Sequence, residues 1–502
     1  MLSIYTTTDL IDSIQQIINR EDRLNELVKV YPNTDKRTTM ACLLVDEQGI
    51  HWPIDWADTS PPYLIPTIDF NADTLLSSIF FRIGNNEKAW TYGKETTSQL
   101  NHFSALDLLA NGYIIQEAVI QFLEEEKALK DDNQYFSAHN EAILRHYGHF
   151  EADQLFLQID GMYQQAAKSA PNAELEVFTI KHHAVFLLDN GHLDKAENLL
   201  RTSEPIAISD DAIYSLKSIL CDVLLKKLVV PYDDFHLGEL KSLIWETLEY
   251  AKKTERTTSQ ALRLMDAAHI ALISTNYSEG LSYLNKATAI FDKEGYKEFW
   301  AEAMRRKGSL LYAWAQDGNP QFFKSALDSY HEALKVYTRE ATPSVFADIH
   351  HNLGVIYAEI PTEDKKKGLM AGIALTSFQL ALDHFTKEEF PYEYATICTN
   401  YGNALCKFPP AINSDNFEKA IFYYADALEI RTAKYPIERA ITLLNYIEAS
   451  WNIKDDKDFN EARYLDMKTK AEEVLVLVQE EDMQEEARKH LDNLERLKEL
   501  VD

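Results

Sequence analysis

The sequence predicts an all-α protein: a right-handed solenoid of about seven helical pairs, with a small α+β or irregular region at the N-terminal end. A phrase that ends in proline recurs three times, at Pro343, Pro391 and Pro436, with steps of 48 and 45 residues. Apolar residues follow helical periodicity from about Ser104 onward, and glycine and proline are scarce, at 16 and 15 of 502 residues. A fixed period in this range is typical of stacked helical pairs that cannot bury their apolar faces alone.

Small residues recur in register within the second helix of each predicted pair. An alanine-type residue starts the register in four copies, with steps of 46, 48 and 46, and a larger apolar residue and a second alanine follow four and seven positions later. The four copies contain Gly280, Leu284 and Ala287; Ala326, Tyr330 and Ala333; Ala374, Phe378 and Ala381; and Ala420, Tyr424 and Ala427. This spacing places all three residues on one helical face, where small side chains let neighbouring helices approach closely.

The first helices align as well, through Gly308, Gly354 and Gly402. The segment Asn352-Leu353-Gly354-Val355-Ile356-Tyr357, followed by Ala374, Phe378 and Ala381, resembles the tetratricopeptide repeat (TPR). The period of 46 to 48 residues exceeds the usual 34. In its longer period the sequence resembles the bacterial and cyanobacterial TPR arrays, some of which carry a caspase-like CHAT protease domain. No CHAT protease is evident in this sequence.

The first 135 residues have a different texture. Asp9 to Val30 predicts one or two helices, and the apolar run 39–45, the turn at 46–49 and Ile50–Trp52 predict a β-hairpin. Prolines between 53 and 66 break any helix there. Trp52 and Trp56, beside these prolines, fit either a small core or a peptide-binding surface, and we expect the core.

We therefore predict an N-terminal domain over 1–135, a TPR-like solenoid over 136–470 and a capping helix over 471–502. The segment 210–255 departs most from the repeat, and Val229-Val230-Pro231 interrupts it. The tail from Glu472 has an apolar stripe on a charged helix, which suits the cap of a final repeat.

One polar position repeats in the first helices: Asn352, Asn400 and Asn445, with Arg306 in the preceding copy. The resemblance implies that this position faces a concave groove, where asparagines hold an extended peptide because amides both donate and accept. The alternative is that the asparagines join neighbouring repeats by hydrogen bonds. We take Arg306, Asn352, Asn400, Asn445 and Tyr357 as the predicted partner-binding groove.

Composition narrows the class of partner. The net charge is −30, and the short basic clusters stand among acids. Nucleic-acid and anionic membrane surfaces call for a basic stripe, so we expect neither as partner. A protein or peptide partner of basic or mixed charge is compatible with this surface. Four cysteines without a CxxC pair, no signal peptide and no apolar run of about 18 residues predict a cytoplasmic protein.

Catalytic and metal signatures are weak. His146 and His149 with Glu151 and Asp153 have loose metal spacing, and we expect them in a surface turn. Adjacent histidines, as in His182-His183, point in different directions on a helix and do not chelate together. HExxH, P-loop, GxGxxG and GxSxG motifs are missing. We predict no catalytic residue, no metal and no cofactor.

Two functions follow. The first is a non-enzymatic protein-interaction scaffold or adaptor whose groove binds a peptide or protein. The alternative is a bacterial signalling or defence effector, or an enzyme, whose activity lies in 1–135 and is regulated by the TPR array; this rests on family analogy. The sequence leaves the oligomeric state open.

Overall fold

In a computed structural model, the chain is described over residues 1–32, 42–129, 134–150, 155–409, 415–454 and 459–501. It divides into two compact units, Met1–Arg256 and Thr257–Asp502, which are considered separately. Outside one small sheet both units are helical, as the sequence predicts. The domain boundaries at 135 and 470 stay predictions.

The first unit begins with a four-stranded sheet in the order β2-β1-β3-β4. The strands are β1 Leu2–Thr6, β2 Val28–Pro32, β3 Cys42–Asp46 and β4 Gly49–His51. β1 lies parallel to both β2 and β3, with Ile4 opposite Val30 and Leu43. β3 and β4 are antiparallel around the turn at 46–49, which confirms the predicted hairpin. Residues 39–41 of the predicted run lie outside the described residues.

The helical prediction for Asp9 to Val30 is wrong at its end. α1 (Ile11–Ile18) and α2 (Leu24–Leu27) form, but the chain becomes strand β2 at Val28. Val28 and Val30 are β-branched and alternate with Lys29, a pattern that suits a strand. Pairing with β1 decides the outcome, because it satisfies the backbone groups of both strands.

Ten further helices complete the described part of the first unit. They are α3 Ala72–Arg82, α4 Asn86–Gly93, α5 Thr97–Ala110, α6 Glu117–Leu129, α7 Gln134–Tyr147, α8 Phe156–Ser169, α9 Ala173–Asp189, α10 Leu193–Ser203, α11 Asp210–Lys226 and α12 Asp234–Lys253. α11 and α12 pack together, so the segment 210–255 keeps a helical pair although its sequence departs from the repeat. The apolar core joins the sheet to α1 and α3, with Ile14, Leu43 and Leu75 fully buried.

The second unit is a series of helical pairs. Its helices are α13 Thr257–Ile273, α14 Tyr277–Glu294, α15 Lys297–Gln316, α16 Phe322–Ala333, α17 Pro343–Glu359, α18 Asp364–Leu382, α19 Pro391–Lys407, α20 Asn416–Ile430, α21 Pro436–Trp451, α22 Glu461–Leu477 and α23 Glu481–Val501. Odd-numbered helices from α13 to α21 are the first helices of their pairs, and each packs on the even-numbered helix that follows. Pro343, Pro391 and Pro436 each open a first helix, where the missing N–H has no helical partner to lose.

Glycine sets the distance between the two helices of a pair. A Cβ added to Gly402 would lie 2.5 Å from Cε1 of Tyr424, and one added to Gly308 would lie 2.8 Å from Cδ2 of Tyr330. Both rings are buried. The recurring glycine and aromatic residues therefore form one contact, repeated from pair to pair.

The last helices close the apolar core. Leu494 of α23 is buried against Ile447 of α21 and Met467 of α22. Within the described residues, no helix has the length and apolarity that a membrane span requires.

Candidate functional site

The predicted groove position lies on the side of each first helix that faces away from its second helix. Arg306, Asn352 and Asn400 each precede a repeat glycine by two residues, which corresponds to roughly 200° around a helix. Because those glycines face the second helices, the three polar residues point the opposite way. We call this surface of α13, α15, α17, α19 and α21 the inner face.

The first helices lie side by side along the inner face and share polar contacts. Nη1 of Arg305 lies 3.3 Å from Oδ2 of Asp348, joining α15 to α17. Nδ2 of Asn400 lies 2.9 Å from Nε2 of His351, joining α19 to α17. The hydroxyls of Thr399 and Thr442 lie 3.5 Å apart between α19 and α21.

A charged cluster occupies the inner face of α13, α15 and α17. Glu302 accepts hydrogen bonds from Nε of Arg305 at 2.7 Å and from Nε of Arg306 at 2.9 Å. Burial opposes ionisation of Glu302, but these two cations lower its pKa below the ordinary value. Nη1 of Arg306 also lies 3.9 Å from Oδ1 of Asp266. Arg306 is thus held in place by carboxylates and remains partly exposed.

The three predicted asparagines differ in their partners. Asn352 donates from Nδ2 to the carbonyl of Asp348 at 2.8 Å, and no described donor contacts its Oδ1. Asn400 is engaged with His351, which matches the alternative that asparagines join repeats. The Asn445 amide is half-buried and has no hydrogen-bond partner among the described residues. Among the described residues, Asn352 therefore keeps a free Oδ1 and Asn445 a free amide group, whereas Nδ2 is occupied in both Asn352 and Asn400.

Tyr357 lies elsewhere on α17. It follows Asn352 by five residues, roughly 140° around the helix. Its hydroxyl lies 3.0 Å from Nε2 of His331 on α16. The structure therefore does not bring Tyr357 together with the other four predicted residues.

A second polar cluster, not anticipated from the sequence, extends the inner face toward the C-terminal ends of the first helices. Glu359 accepts from the Tyr312 hydroxyl at 2.6 Å and from Nζ of Lys407 at 2.8 Å. Gln316 also donates to Glu359, at 3.0 Å. The contacts connect α15, α17 and α19. To predict them from the sequence, one would have needed the register of all three helices.

The first unit contains buried polar residues that sequence reasoning missed. His146 is buried in the last turn of α7 and contacts the Tyr163 hydroxyl at 2.8 Å, so the expected surface turn is wrong for this residue. Burial lowers the pKa of His146 to about 4, against the opposing effect of Asp189. Burial likewise lowers the pKa of His139 to about 4. Both imidazoles are neutral at pH 7.

These side chains anchor the proline-rich segment to the helices. Asn140 donates to the carbonyl of Leu64 at 2.7 Å and accepts from its N–H at 2.8 Å. Nζ of Lys181 lies 2.5 and 2.7 Å from the two carboxylate oxygens of Asp58. Trp56 is buried edge-on against Phe178, at 5.3 Å between ring centroids, as expected for a core residue. These contacts all lie within the first unit, so they serve packing.

No group of three histidine, cysteine or acidic side chains among the described residues is arranged to hold a metal ion. Glu151 and Asp153, considered with His146 and His149 in the sequence, lie outside the described residues.

No protein-family model and no curated protein matches the chain. Among solved structures, it is similar to the human IFIT1 dimer with PPP-AAAA, at 14% identity and a TM-score of 0.43, over 85% of this chain and 90% of that one. It is also similar to a Pyrococcus horikoshii STAND protein with a tetratricopeptide repeat sensor, at 12% identity and a TM-score of 0.43, over 99% of this chain and 77% of that one.

The helical pairs, their glycine–aromatic contacts and the side-by-side first helices define a tetratricopeptide-like fold. The chain carries this fold in pairs of about 46 residues, longer than the usual repeat.

Proposed function

We propose that the chain is a protein-interaction scaffold that binds an extended peptide or protein segment along the inner face of its second unit. The observation that carries this proposal is the row of partly exposed polar side chains on consecutive first helices. Arg306 and Asn352 each precede a glycine that faces the second helix, and Asn445 precedes Ile447, which packs with Met467 of α22. All three therefore point away from their second helices. Such a row can follow the backbone of an extended chain, whose N–H and C=O groups repeat at regular intervals.

The charge of the inner face favours a partner of mixed charge. The cluster around Glu302 holds two arginines and three carboxylates, and Asp348 keeps a partly exposed carboxyl. Burial raises the pKa of Asp348 above its ordinary value, so an approaching cation would stabilise its ionised form. A partner peptide whose backbone is bound by the asparagines, and which carries a basic residue near Asp348, matches this arrangement.

The experiment is quantitative affinity capture with the full chain and its variants. Asn352→Ala/Asn445→Ala removes the Oδ1 of Asn352 and the amide of Asn445, which have no described partner, and leaves the Asn400–His351 hydrogen bond in place. We expect specific partners to be depleted at least tenfold, because buried partner backbone groups would lose their hydrogen bonds. Asn285→Ala, an exposed asparagine on the second helix α14, is the matched control and should retain them.

Equal capture by the double variant and the wild type would remove the support for this function. The alternative, an effector or enzyme in 1–135, stays a prediction, as do the kinship with long-period bacterial arrays, the cytoplasmic location and the exclusion of nucleic acid.

A further inference from the structure

A cavity of about 510 Å³ lies between α18, α19 and α20, within the size range of ligand pockets. α18 contributes Gly368 and Gly372, α19 contributes Tyr401 and Leu405, and α20 contributes Phe422. Tyr401 and Leu405 lie roughly 100° and 140° around α19 from Asn400. The cavity is therefore on a different face from the inner face.

Two glycines of α18 line this cavity. Gly368 and Gly372 lie inside the 19-residue helix α18. Glycine is unfavourable there because it loses more conformational entropy on folding than any other residue. A Cβ added at either position would meet no atom within 4 Å, in contrast to Gly402, where it would strike Tyr424. Close packing therefore explains Gly402 but explains neither Gly368 nor Gly372. No described atom fills the room beside them.

The cavity has apolar walls and one charge. Lys419 is the single charged residue among the described lining residues, and no described acid pairs with its ammonium. Phe422, three residues further along α20, also lines the cavity and is 63% exposed. A lone cation at an apolar cavity attracts a carboxylate attached to an apolar group. The attraction is local and acts against the net charge of −30, which salt screens beyond about 10 Å.

The equivalent positions of the two preceding helical pairs have different lining residues. Between α14, α15 and α16 the equivalent cavity measures about 340 Å³, and Asp328 and Glu332 line it together with Lys307. In the pair between these two, Tyr357 stands where Leu311 and Leu405 stand, and its ring reaches His331. The combination of apolar walls, open glycines and an uncompensated lysine thus distinguishes the α18–α20 cavity from both.

We propose that this cavity is a second docking site, which accepts an aromatic or leucine side chain of a partner peptide while a neighbouring Asp or Glu of the same peptide pairs with Lys419. The site goes beyond the inner-face function and uses none of its residues. The apolar anchor would supply most of the affinity, and the ion pair would select acidic over basic partners.

The probe is a random dodecapeptide library displayed on phage and selected on the immobilised full chain, followed by fluorescence polarisation with the selected synthetic peptides. We expect peptides in which Phe, Trp or Leu neighbours Asp or Glu. Gly372→Phe fills the cavity and should raise Kd at least tenfold. Lys419→Glu should raise Kd by a similar factor, and replacing the acid of the peptide by lysine should then restore part of the binding.

Three controls keep the result interpretable. Gly372→Ala adds a methyl group that meets nothing, so it should bind peptide like the wild type, and circular dichroism shows that each variant is folded. Lys324→Glu makes the same charge change on α16, outside this cavity, and should leave Kd unchanged. Asn352→Ala/Asn445→Ala should also leave it unchanged.

Failure to enrich such peptides, or binding that Gly372→Phe leaves intact, would overturn the proposal. Peptides that lose binding only in the inner-face variant would likewise overturn it, while supporting the proposed function.

Discussion

Nδ2 of Asn400 donates a hydrogen bond to Nε2 of His351 across 2.9 Å, and this bond joins the first helices of two neighbouring pairs. An amide nitrogen can only donate, so the imidazole must be neutral and accept at Nε2. Burial supplies that condition, because it lowers the pKa of His351 to about 4. Of the three aligned asparagines, Asn400 is thus the one that holds repeats together.

Asn400→Ala should therefore reduce stability, by about 1 kcal/mol, the usual net contribution of a hydrogen bond whose partner is left buried. Asn445→Ala removes an amide without a described partner and should change stability by less than about 0.5 kcal/mol. Urea unfolding of the two variants followed by circular dichroism measures the difference. A larger loss in Asn445→Ala would contradict the assignment.

Two glycine-to-alanine changes should act in opposite directions. Gly402→Ala forces the Tyr424 ring to move, because the added Cβ lies 2.5 Å from Cε1, and it should destabilise by about 1–3 kcal/mol. Gly372→Ala meets no neighbour and should stabilise by about 0.5–1 kcal/mol through helix propensity. Differential scanning calorimetry of both variants tests this, and a common sign would show the packing argument to be wrong.

Replacement of Asp58 and replacement of Lys181 should reduce stability by different amounts. Lys181 is buried, and burial lowers its pKa, with Asp58 opposing that shift. Asp58→Ala leaves a buried ammonium without its carboxylate and should cost about 2 kcal/mol, less than the loss of a fully buried pair because Asp58 is 57% exposed. Lys181→Met removes the charge with little change in shape and should cost less. Equal losses in the two variants, measured by urea unfolding, would refute this.

Stability of the first unit should decline below about pH 6.5 through its buried histidines. The pKa of His139 falls from 6.5 to about 4 on folding, so between these values the unfolded chain binds more protons than the folded one. Stability from this group is complete above 6.5 and is lost as the pH falls toward 4, by about 1.4 kcal/mol per pH unit. His139→Gln should reduce that slope by about this amount.

The measurement is the urea midpoint at several pH values between 4.5 and 7. His236→Gln, an exposed histidine on α12, is the matched control and should leave the slope unchanged. An unaltered slope in His139→Gln would mean that the folded state accepts the proton at His139.

The repeat register was visible in the sequence because its cause is local. Ala374, Phe378 and Ala381 recur at fixed spacing since each pair must bury the same helical face. Pro391 marks the start of a helix, and Gly402 marks the close approach of two helices, for similarly local reasons. The hairpin at 42–51 also followed from a short apolar run and a turn signal, without knowledge of its neighbours.

Two sequence predictions were wrong where contacts with other elements determine the local structure. Val28 becomes a strand because β1 is available to pair with it, and His146 is buried because α8 and α9 cover the end of α7. The alternation of Val28 and Val30 suits a strand, but local propensity does not show that β1 pairs with it or that α8 packs on α7.

The sequence by itself determined the paired helices, their period and the face on which Asn352, Asn400 and Asn445 stand, because helical geometry converts spacing into direction. Only the tertiary structure decided which of these amides is occupied, that Tyr357 turns toward α16, and that Gly372 faces an open cavity whereas Gly402 faces a ring. These are contacts between helices, and their outcome depends on the side chains that neighbouring pairs present across the interface.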